Sequence, residues 1–227
     1  MTADVLLISK RDRWSLRAGA YAQRAFGDAL DWRQGALGEP FPLAQAQGAG
    51  RYRIVLSFLS PWIVPARLLE TAELAINFHP GSCDYPGIGC YNFALYEGAE
   101  SYGVVCHHML AEVDAGEIIE ERRFPLGPED TVETLKLKSM TAMAGLFERI
   151  VGRVAEGTPL PASSAQWTRK AFTRRQLNEL CVITTNMDAN EIKRRVRAVT
   201  YPGQPGAQIT LAGHRFAIAP EAREPLA

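Results

Sequence analysis

The chain has 227 residues, of which 47% are hydrophobic, enough to bury a full core in one domain with a small appendage. Lysine and arginine together number 25, as do aspartate and glutamate, so the formal net charge is 0 at pH 7. A balanced charge gives no global field that would draw the protein to nucleic acid or to a membrane. We therefore expect a small or locally recognised partner.

The cysteine pattern argues against a secreted protein. The four cysteines have no CxxC spacing, and the N-terminus does not combine a basic start with an apolar segment. Both a disulfide framework and secretion are therefore disfavoured. Because no uninterrupted apolar stretch is long enough to span a bilayer, we predict a soluble, cytoplasmic protein with free thiols.

The first third of the chain alternates between apolar runs and helical patterns. Apolar runs at Val5–Ser9, Ile54–Phe58 and Ala75–His79 predict buried strands, and the Ala-rich segment Ser15–Phe26 has helical spacing. Strands that alternate with helical segments are typical of a doubly wound sheet. The predicted fold class is α/β, with a Rossmann-like core and a mainly parallel sheet.

Two more strands are predicted at Gly103–Met109 and Glu117–Phe124. The acidic turn between them leaves no room for a helix, so this pair should be antiparallel. Helical spacing then continues from Thr131 to about Ala155, which predicts the most clearly marked helix of the chain, with Asp130 or Thr131 available as its N-cap.

Beyond residue 160 the pattern becomes irregular and basic. Capping-box spacing predicts short helices after Thr173 and after Asp188, and a turn-rich stretch precedes two apolar runs that predict a β-hairpin. We interpret residues 1–160 as the core domain and residues 161–227 as a C-terminal accessory region that ends in this hairpin.

Asn77 and His79 are two polar residues on an otherwise apolar predicted strand. The strand period of two places both on one side, at the edge where open α/β sheets bind ligands. The amide could donate a hydrogen bond to an oxygen and the imidazole could move a proton near neutral pH. Taken alone, the pair is more simply explained as capping the end of the strand.

Asp114 lies in a short turn just before Gly116. Its carboxylate could hold an imidazole in one orientation, although an isolated aspartate in a turn is usually only a turn residue. His107 and His108 must point to opposite faces of their strand, so at most one of them can join a site on the active face.

The motifs within residues 75–119 resemble those of the folate-dependent formyltransferases. That family includes glycinamide ribonucleotide transformylase, methionyl-tRNA formyltransferase and the nucleotide-linked aminosugar N-formyltransferases. An N-x-H-P sequence at 77–80, a G-V-x-x-H strand at 103–107 and an x-D-x-G-x-I turn at 113–118 occur here in the family's order. The resemblance implies transfer of a formyl group from 10-formyltetrahydrofolate to an amine.

The resemblance also implies individual roles. Asn77 would polarise the formyl oxygen, His79 would act as base or proton shuttle, and Asp114 would orient and charge the imidazole. The implied folate contacts are Phe58, Leu59, Pro61, Trp62, Ile63, Val64, Val113 and Gly116. The residues assigned to the amine acceptor are His107, Tyr91, Trp167, Arg169 and Tyr201.

The identity of the acceptor is a finer prediction. Residues 192–207 are similar to the corresponding region of the aminosugar members, which favours a nucleotide-linked aminosugar. The loop Gly81–Pro86 departs from the family pattern. Alternatives are a hydrolase that releases formate from the folate, a non-catalytic folate- or nucleotide-binding module, and transfer to another amine such as a ribonucleotide or an amino-acid derivative.

The remaining features favour no further cofactor. The spacing of Cys83, Cys90, Cys106, His107 and His108 fits no common zinc site, and we predict no metal. No G-x-G-x-x-G motif follows the first strand, which disfavours a dinucleotide. Basic residues over 166–200 could bind a pyrophosphate or could form a solvated helix face. A homodimer formed through the edge of the hairpin is a hypothesis.

Overall fold

The computed structural model describes residues 4–42, 52–204 and 206–218. The main sheet consists of β1 (Val5–Lys10), β2 (Leu30–Gly35), β3 (Ile54–Phe58), β4 (Leu74–His79), β5 (Ser101–His108) and β6 (Ile118–Pro125). Its strand order is β2-β1-β3-β4-β5-β6. The first four strands are parallel, whereas β5 is antiparallel to both β4 and β6. The predicted mainly parallel α/β sheet is therefore confirmed, as is the antiparallel pair.

The helices are α1 (Arg13–Phe26), α2 (Ala66–Thr71), α3 (Cys90–Glu97), α4 (Val132–Ala155), α5 (Arg174–Leu180) and α6 (Ala189–Val199). Helix α4 begins after Thr131, whose side chain accepts a hydrogen bond from the Thr134 backbone, as its predicted role as N-cap requires. Helix α5 has the expected capping box between Thr173 and Gln176. Asp188 caps α6.

The elements absent from the sequence predictions include β2 and α3. Strand β2 lies at the sheet edge and buries only Gly35 fully, so it lacks the apolar pattern that marks a central strand. Helix α3 is only 8 residues long and lies between Gly89 and Gly98, which both have positive φ. It is apolar on most sides, so it shows no helical periodicity.

The sheet buries both of its faces. On one face α1 and α4 cover a core that includes Phe58, Phe78 and Phe147. The ring centroid of Phe147 lies 5.1 Å from that of Phe58 and 4.8 Å from that of Phe78. Because side chains alternate along β4, packing Phe78 into this core turns Asn77 and His79 toward the opposite face.

The C-terminal region packs against α3 and α4. Helices α5 and α6 share a buried hydrophobic cluster with them, and α6 lies alongside α3. Strands β7 (Val182–Ile183), β8 (Gln208–Leu211) and β9 (His214–Ala217) form a small sheet in which β8 and β9 are antiparallel. The predicted accessory unit ending in a hairpin is confirmed, and the domain boundary at residue 160 stays a prediction.

No helix in the described part of the chain is long and apolar enough to cross a membrane.

Replacing Phe147 by alanine should weaken the fold strongly. The change removes a fully buried ring that contacts two other aromatic rings and leaves a cavity. We expect the free energy of unfolding to fall by about 3–5 kcal/mol. Urea denaturation followed by circular dichroism measures this, with the exposed Thr141→Ala on the same helix as control. A loss no larger than that of the control would contradict the proposed position of Phe147 in the core.

Candidate active site

Four polar side chains converge where β4 and β5 pair: Asn77, His79, His107 and Asp114. The antiparallel register sets Asn77 opposite His107, and the amide nitrogen of Asn77 lies 3.1 Å from Nε2 of His107. A register shift between Cys106 and His107 interrupts the pairing of β5 with β6 at this point. Such bulges change the direction of a side chain locally.

Asp114 joins the two histidines. Its Oδ2 lies 3.2 Å from Nδ1 of His79, and its Oδ1 lies 3.2 Å from Nε2 of His107. The backbone N–H of Gly87 donates to the same Oδ2 over 2.7 Å. Asp114 has a φ of 47°, a left-handed conformation that aspartate tolerates better than most residues. The turn therefore holds the carboxylate against both rings.

Asp114 is only 8% exposed, so its charge must be stabilised from within the protein. Burial by itself would raise the pKa of Asp114, but the charges and hydrogen bonds of His79 and His107, together with Gly87 N–H, outweigh it. The result is a pKa held well below the ordinary range of an aspartate. The carboxylate is therefore ionised at neutral pH.

The second nitrogen of each imidazole faces a backbone carbonyl. Nε2 of His79 lies 3.0 Å from the Tyr85 carbonyl oxygen, and Nδ1 of His107 lies 2.8 Å from that of His108. The His79 ring thus lies between two acceptors, and only its doubly protonated form can donate to both. To accept a proton from a substrate, the ring must release one of these contacts.

Trp167 closes the site from the C-terminal region. Its ring meets the rings of His79 and His107 edge-on, with centroids 6.0 and 5.1 Å away. Its indole N–H donates to the Gly116 carbonyl over 2.8 Å. A Cβ at Gly116 would lie 1.8 Å from the His108 carbonyl oxygen, so this turn requires glycine.

A cavity of about 370 Å³ opens beside Asn77 and His79. Of the residues predicted to contact folate, five line it: Leu59, Trp62, Ile63, Val64 and Val113. Its other walls come from the ends of β1, β3 and β4 and from residues 109–114. Its volume is in the range of small-molecule sites, and its walls are mostly apolar with several polar groups among them.

Three residues predicted to contact folate lie elsewhere. The Phe58 side chain is fully buried among the rings of the core, because its position on β3 faces α4. Pro61 and Gly116 are not among the residues that line the cavity. These three positions stay predictions.

A second cavity of about 340 Å³ is adjacent to the first. Residues 112–115 form one wall and residues 167–171 the other, so the Asp114 turn separates the two spaces. The guanidinium of Arg169 pairs with Glu97 over 2.7 Å and stacks over the Tyr85 and Phe172 rings. Lys170 is exposed on the same wall. The Asp114 turn therefore borders both cavities.

Tyr91 and Tyr201 line a third cavity, between α3, α4 and the C-terminal region. The structure brings His107 and Trp167 to the reaction centre and places Arg169 on the second cavity. It does not bring the two tyrosines to the centre, because they belong to a different cavity. Their predicted contact with the acceptor stays untested.

Backbone groups complete the site, and sequence reasoning did not identify them. The Gly87 N–H and the Tyr85 carbonyl both come from the loop after β4, whose sequence departs from the family pattern. A Cβ at Gly81 would lie 2.5 Å from Nε2 of His79, so the imidazole needs a glycine there. That glycine, directly after His-Pro, is the one sequence signal for this close approach.

Within the described residues, no group of histidine, cysteine, aspartate and glutamate side chains could hold a metal ion. Cys83 does not offer a ready nucleophile, because burial and the nearby Glu121 carboxylate raise the pKa of its thiol to about 12. At this centre the Asn77 amide can donate a hydrogen bond and the His79 imidazole can transfer a proton.

The family model described as formyl transferase matches residues 51–150. This segment contains β3, β4, β5 and β6, and with them Asn77, His79, His107 and Asp114. The resemblance inferred from the three sequence motifs is confirmed, and the chain is related to the formyl transferases.

Solved structures share the whole fold. A sugar N-formyltransferase from a Shewanella species superposes with a TM-score of 0.80 at 16% identity, over 97% of this chain and 98% of that one. A 4-N formyltransferase from Francisella tularensis gives 0.77 at 16% identity, over 99% and 100%. An N-formyltransferase from Helicobacter canadensis, solved with folinic acid and dTDP-3-aminofucose, gives 0.68 at 16% identity, over 86% and 80%. At these identities the likeness establishes a common fold.

Replacing Asp114 by asparagine should change how stability depends on pH. Asp114 has a lowered pKa in the folded state, so its stabilising contribution is complete above the unfolded value of about 4 and is lost as the pH falls below it. We expect the variant to lose about 3 kcal/mol of unfolding free energy at pH 7 and to match the wild type more closely below pH ~3.

Urea denaturation at a series of pH values measures this difference. The exposed Asp28→Asn serves as control, since Asp28 carries the same charge at the surface. Equal losses for the two variants at every pH would show that Asp114 is not held by the histidines.

Proposed function

We propose that this chain, whose residues 51–150 match the formyl transferase family, transfers a formyl group from 10-formyltetrahydrofolate to the amine of a nucleotide-linked aminosugar. The observation that carries the proposal is the position of Asn77 and His79 on the wall of the first cavity, with the ionised Asp114 directly behind His79. An amide donor and a proton-transfer group thus both line a mostly apolar cavity.

Formyl transfer needs these two groups. When an amine nitrogen attacks the formyl carbon, a new C–N bond forms and negative charge develops on the formyl oxygen. The Asn77 amide can donate to that oxygen, and His79 can take the proton that the attacking nitrogen loses. Breaking the bond to N10 of the folate then requires a proton on N10, which the imidazolium can supply. Asp114 stabilises the imidazolium between these two steps.

The first cavity suits the folate donor. Trp62, Ile63, Val64 and Leu59 offer apolar surface to a planar ring system. Residues 110–113 are exposed and line the same cavity, so their backbone can hydrogen-bond the polar edge of such a ring. The Helicobacter canadensis relative was solved with folinic acid, a reduced folate, which supports the same donor here.

The second cavity suits the amine acceptor. It reaches Asp114 from the other side of the 112–115 turn, and Lys170 and Arg169 lie on its outer wall. An amine bound there could approach the formyl carbon while its phosphate groups lie near these cations. The dTDP-3-aminofucose bound by the Helicobacter canadensis relative supports an acceptor of this class. A homodimer and a cytoplasmic location belong to the same proposal.

Formate release is the main alternative reaction. A water molecule in place of the amine could give up its proton to His79 and attack the same carbon. None of the described groups at the centre selects an amine nucleophile over water. The second cavity, with its cations, favours transfer, since hydrolysis needs no space for an acceptor.

Asn77→Ala and His79→Ala should each abolish most activity. Losing one donor to a developing oxyanion weakens catalysis by about 3 kcal/mol, so Asn77→Ala should lower turnover about a hundredfold or more. The assay mixes purified protein with 10-formyltetrahydrofolate and a panel of nucleotide-linked aminosugars, and mass spectrometry detects the acceptor that gains one formyl group. His108→Ala is the matched control, because His108 lies on the same strand but outside the site.

Each result of this assay has a distinct meaning. Formylated acceptor made by the wild type and by His108→Ala, but not by His79→Ala, supports the transferase. Formate release that needs His79 and yields no formylated acceptor identifies the hydrolase instead. The absence of both products would contradict the catalytic role proposed for this site.

Ile63→Asp should raise the KM for the folate with little effect on kcat. Ile63 is 71% exposed on the wall of the first cavity, so the fold tolerates a polar residue there. Losing this apolar contact should raise KM about tenfold. Steady-state kinetics with varied donor measures the change, with Leu16→Asp, an exposed leucine on α1, as control. An unchanged KM would place the donor outside this cavity.

A further inference from the structure

The loop between β4 and α3 supplies two backbone groups to the reaction centre. The Tyr85 carbonyl oxygen lies 3.0 Å from Nε2 of His79, and the Gly87 N–H donates to Asp114 over 2.7 Å. A carbonyl oxygen can only accept, so Nε2 of His79 carries the proton of the first contact. Residues 80–86 belong to no helix or strand. Contacts with the rest of the chain must therefore fix where the Tyr85 carbonyl lies.

A tight turn sets the direction of the Tyr85 carbonyl. The Tyr85 N–H donates to the Ser82 carbonyl over 2.9 Å, which closes a four-residue turn with Cys83 and Asp84 at its centre. Because this hydrogen bond ties the two ends of the turn together, a shift at Cys83 also moves Tyr85. A Cβ at Gly81 would lie only 2.5 Å from Nε2 of His79, so the loop passes directly beside the imidazole.

Glu121 on β6 holds the centre of this turn. Its Oε1 accepts from the Cys83 N–H over 3.0 Å, and its side chain is only 10% exposed. Arg123 donates to the same Oε1 over 3.1 Å and pairs with Asp84 over 2.8 Å. The strand period of two places Glu121 and Arg123 on one face of β6. Both central residues of the turn are therefore tied to that face.

Other contacts hold the loop from its opposite side. The Thr168 N–H donates to the Cys83 carbonyl over 3.2 Å, and the Tyr85 hydroxyl donates to Glu97 over 3.1 Å. These contacts attach the loop to the C-terminal region and to α3. The contact with Glu121 differs from them because its acceptor is a carboxylate with little access to water, and hydrogen bonds to a charged acceptor are among the stronger ones in proteins. Losing it should release the centre of the turn.

Glu120, the neighbour of Glu121, has a similar environment but no contact of this kind. Its side chain is 14% exposed, and the guanidinium of Arg149 on α4 donates to it over 2.9 Å. Alternation along β6 turns Glu120 toward α4 and Glu121 toward the loop. Two adjacent glutamates thus have nearly equal burial and each binds an arginine, while Glu121 in addition binds the loop.

We propose that Glu121 is a positioning residue for His79. By accepting from the Cys83 N–H, it fixes the turn that carries the Tyr85 carbonyl, and this carbonyl holds Nε2 of His79. Glu121 is not among the residues that line the two cavities at the centre, so it acts through the loop and not on a ligand. Its effect on turnover rests on the proposed formyl transfer, whereas its effect on the His79 ring does not.

Glu121→Ala, Glu121→Gln and the matched control Glu120→Ala test this role in the full chain. In the formylation assay Glu121→Ala should lower kcat at least about tenfold, because a displaced carbonyl no longer holds the imidazole in place. The KM for the acceptor should not change, since residues 81–87 do not line the second cavity. Glu121→Gln keeps an oxygen that can accept from the Cys83 N–H, so it should retain most of kcat, as should Glu120→Ala.

Thermal melting shows whether each variant is folded. If Glu121→Ala does not fold, Glu121→Met takes its place, because methionine fills a similar space without a strong acceptor.

NMR of the ¹⁵N-labelled histidine rings gives a readout that needs no activity. The wild type should show an Nε2–H signal of His79 that exchanges slowly with water, identified by its absence from His79→Ala. We expect this signal to persist in Glu120→Ala and Glu121→Gln and to be broadened or lost in Glu121→Ala.

Several results would overturn the proposal. These are a wild-type kcat in Glu121→Ala, an equal loss of kcat in Glu120→Ala or Glu121→Gln, and a His79 signal that is absent from the wild type or unchanged in Glu121→Ala. If the wild type transfers no formyl group but its His79 signal depends on Glu121, the proposed function fails and the positioning role stands.

Discussion

The buried carboxylate of Asp114 interacts with both histidines of the centre, and the rest of the site depends on this interaction. A carboxylate that is 8% exposed needs donors around it, and it receives them from His79, His107 and the Gly87 backbone. In return, its charge fixes the position of both imidazoles. Because His107 also lies beside the Asn77 amide, the carboxylate indirectly positions the group proposed to donate to the oxyanion.

The fold supplies these contacts by register and by packing. The antiparallel pairing of β4 and β5 sets Asn77 opposite His107, while the aromatic core beneath β4 turns Asn77 and His79 toward the ligand side. The turn carrying Asp114 comes from the connection between β5 and β6, and Trp167 closes over it from the C-terminal region. Residues from four separate segments therefore meet at one point, which allows the same carboxylate to border two cavities.

The sequence predicted the central strands, the long helix and the common side of Asn77 and His79, because each depends on the regular alternation of a strand or helix. For His107 and His108 the alternation predicted only that they face opposite sides of their strand. It did not predict β2 or α3, whose residues follow neither pattern. The folate contact of Phe58 stays a prediction, although the structure buries this side chain in the core against α4. The contacts of Tyr85 and Gly87 involve backbone atoms, which leave no residue pattern.

The most direct test of the account follows the transferred carbon itself. A donor labelled with ¹³C in the formyl group is mixed with the protein and an aminosugar nucleotide, and ¹³C NMR records where the label goes. If the chain transfers the formyl group, a new resonance from a formamide carbon bonded to the acceptor nitrogen should appear as the donor signal declines. A label that accumulates only as formate, at the same rate with and without the acceptor, would contradict it.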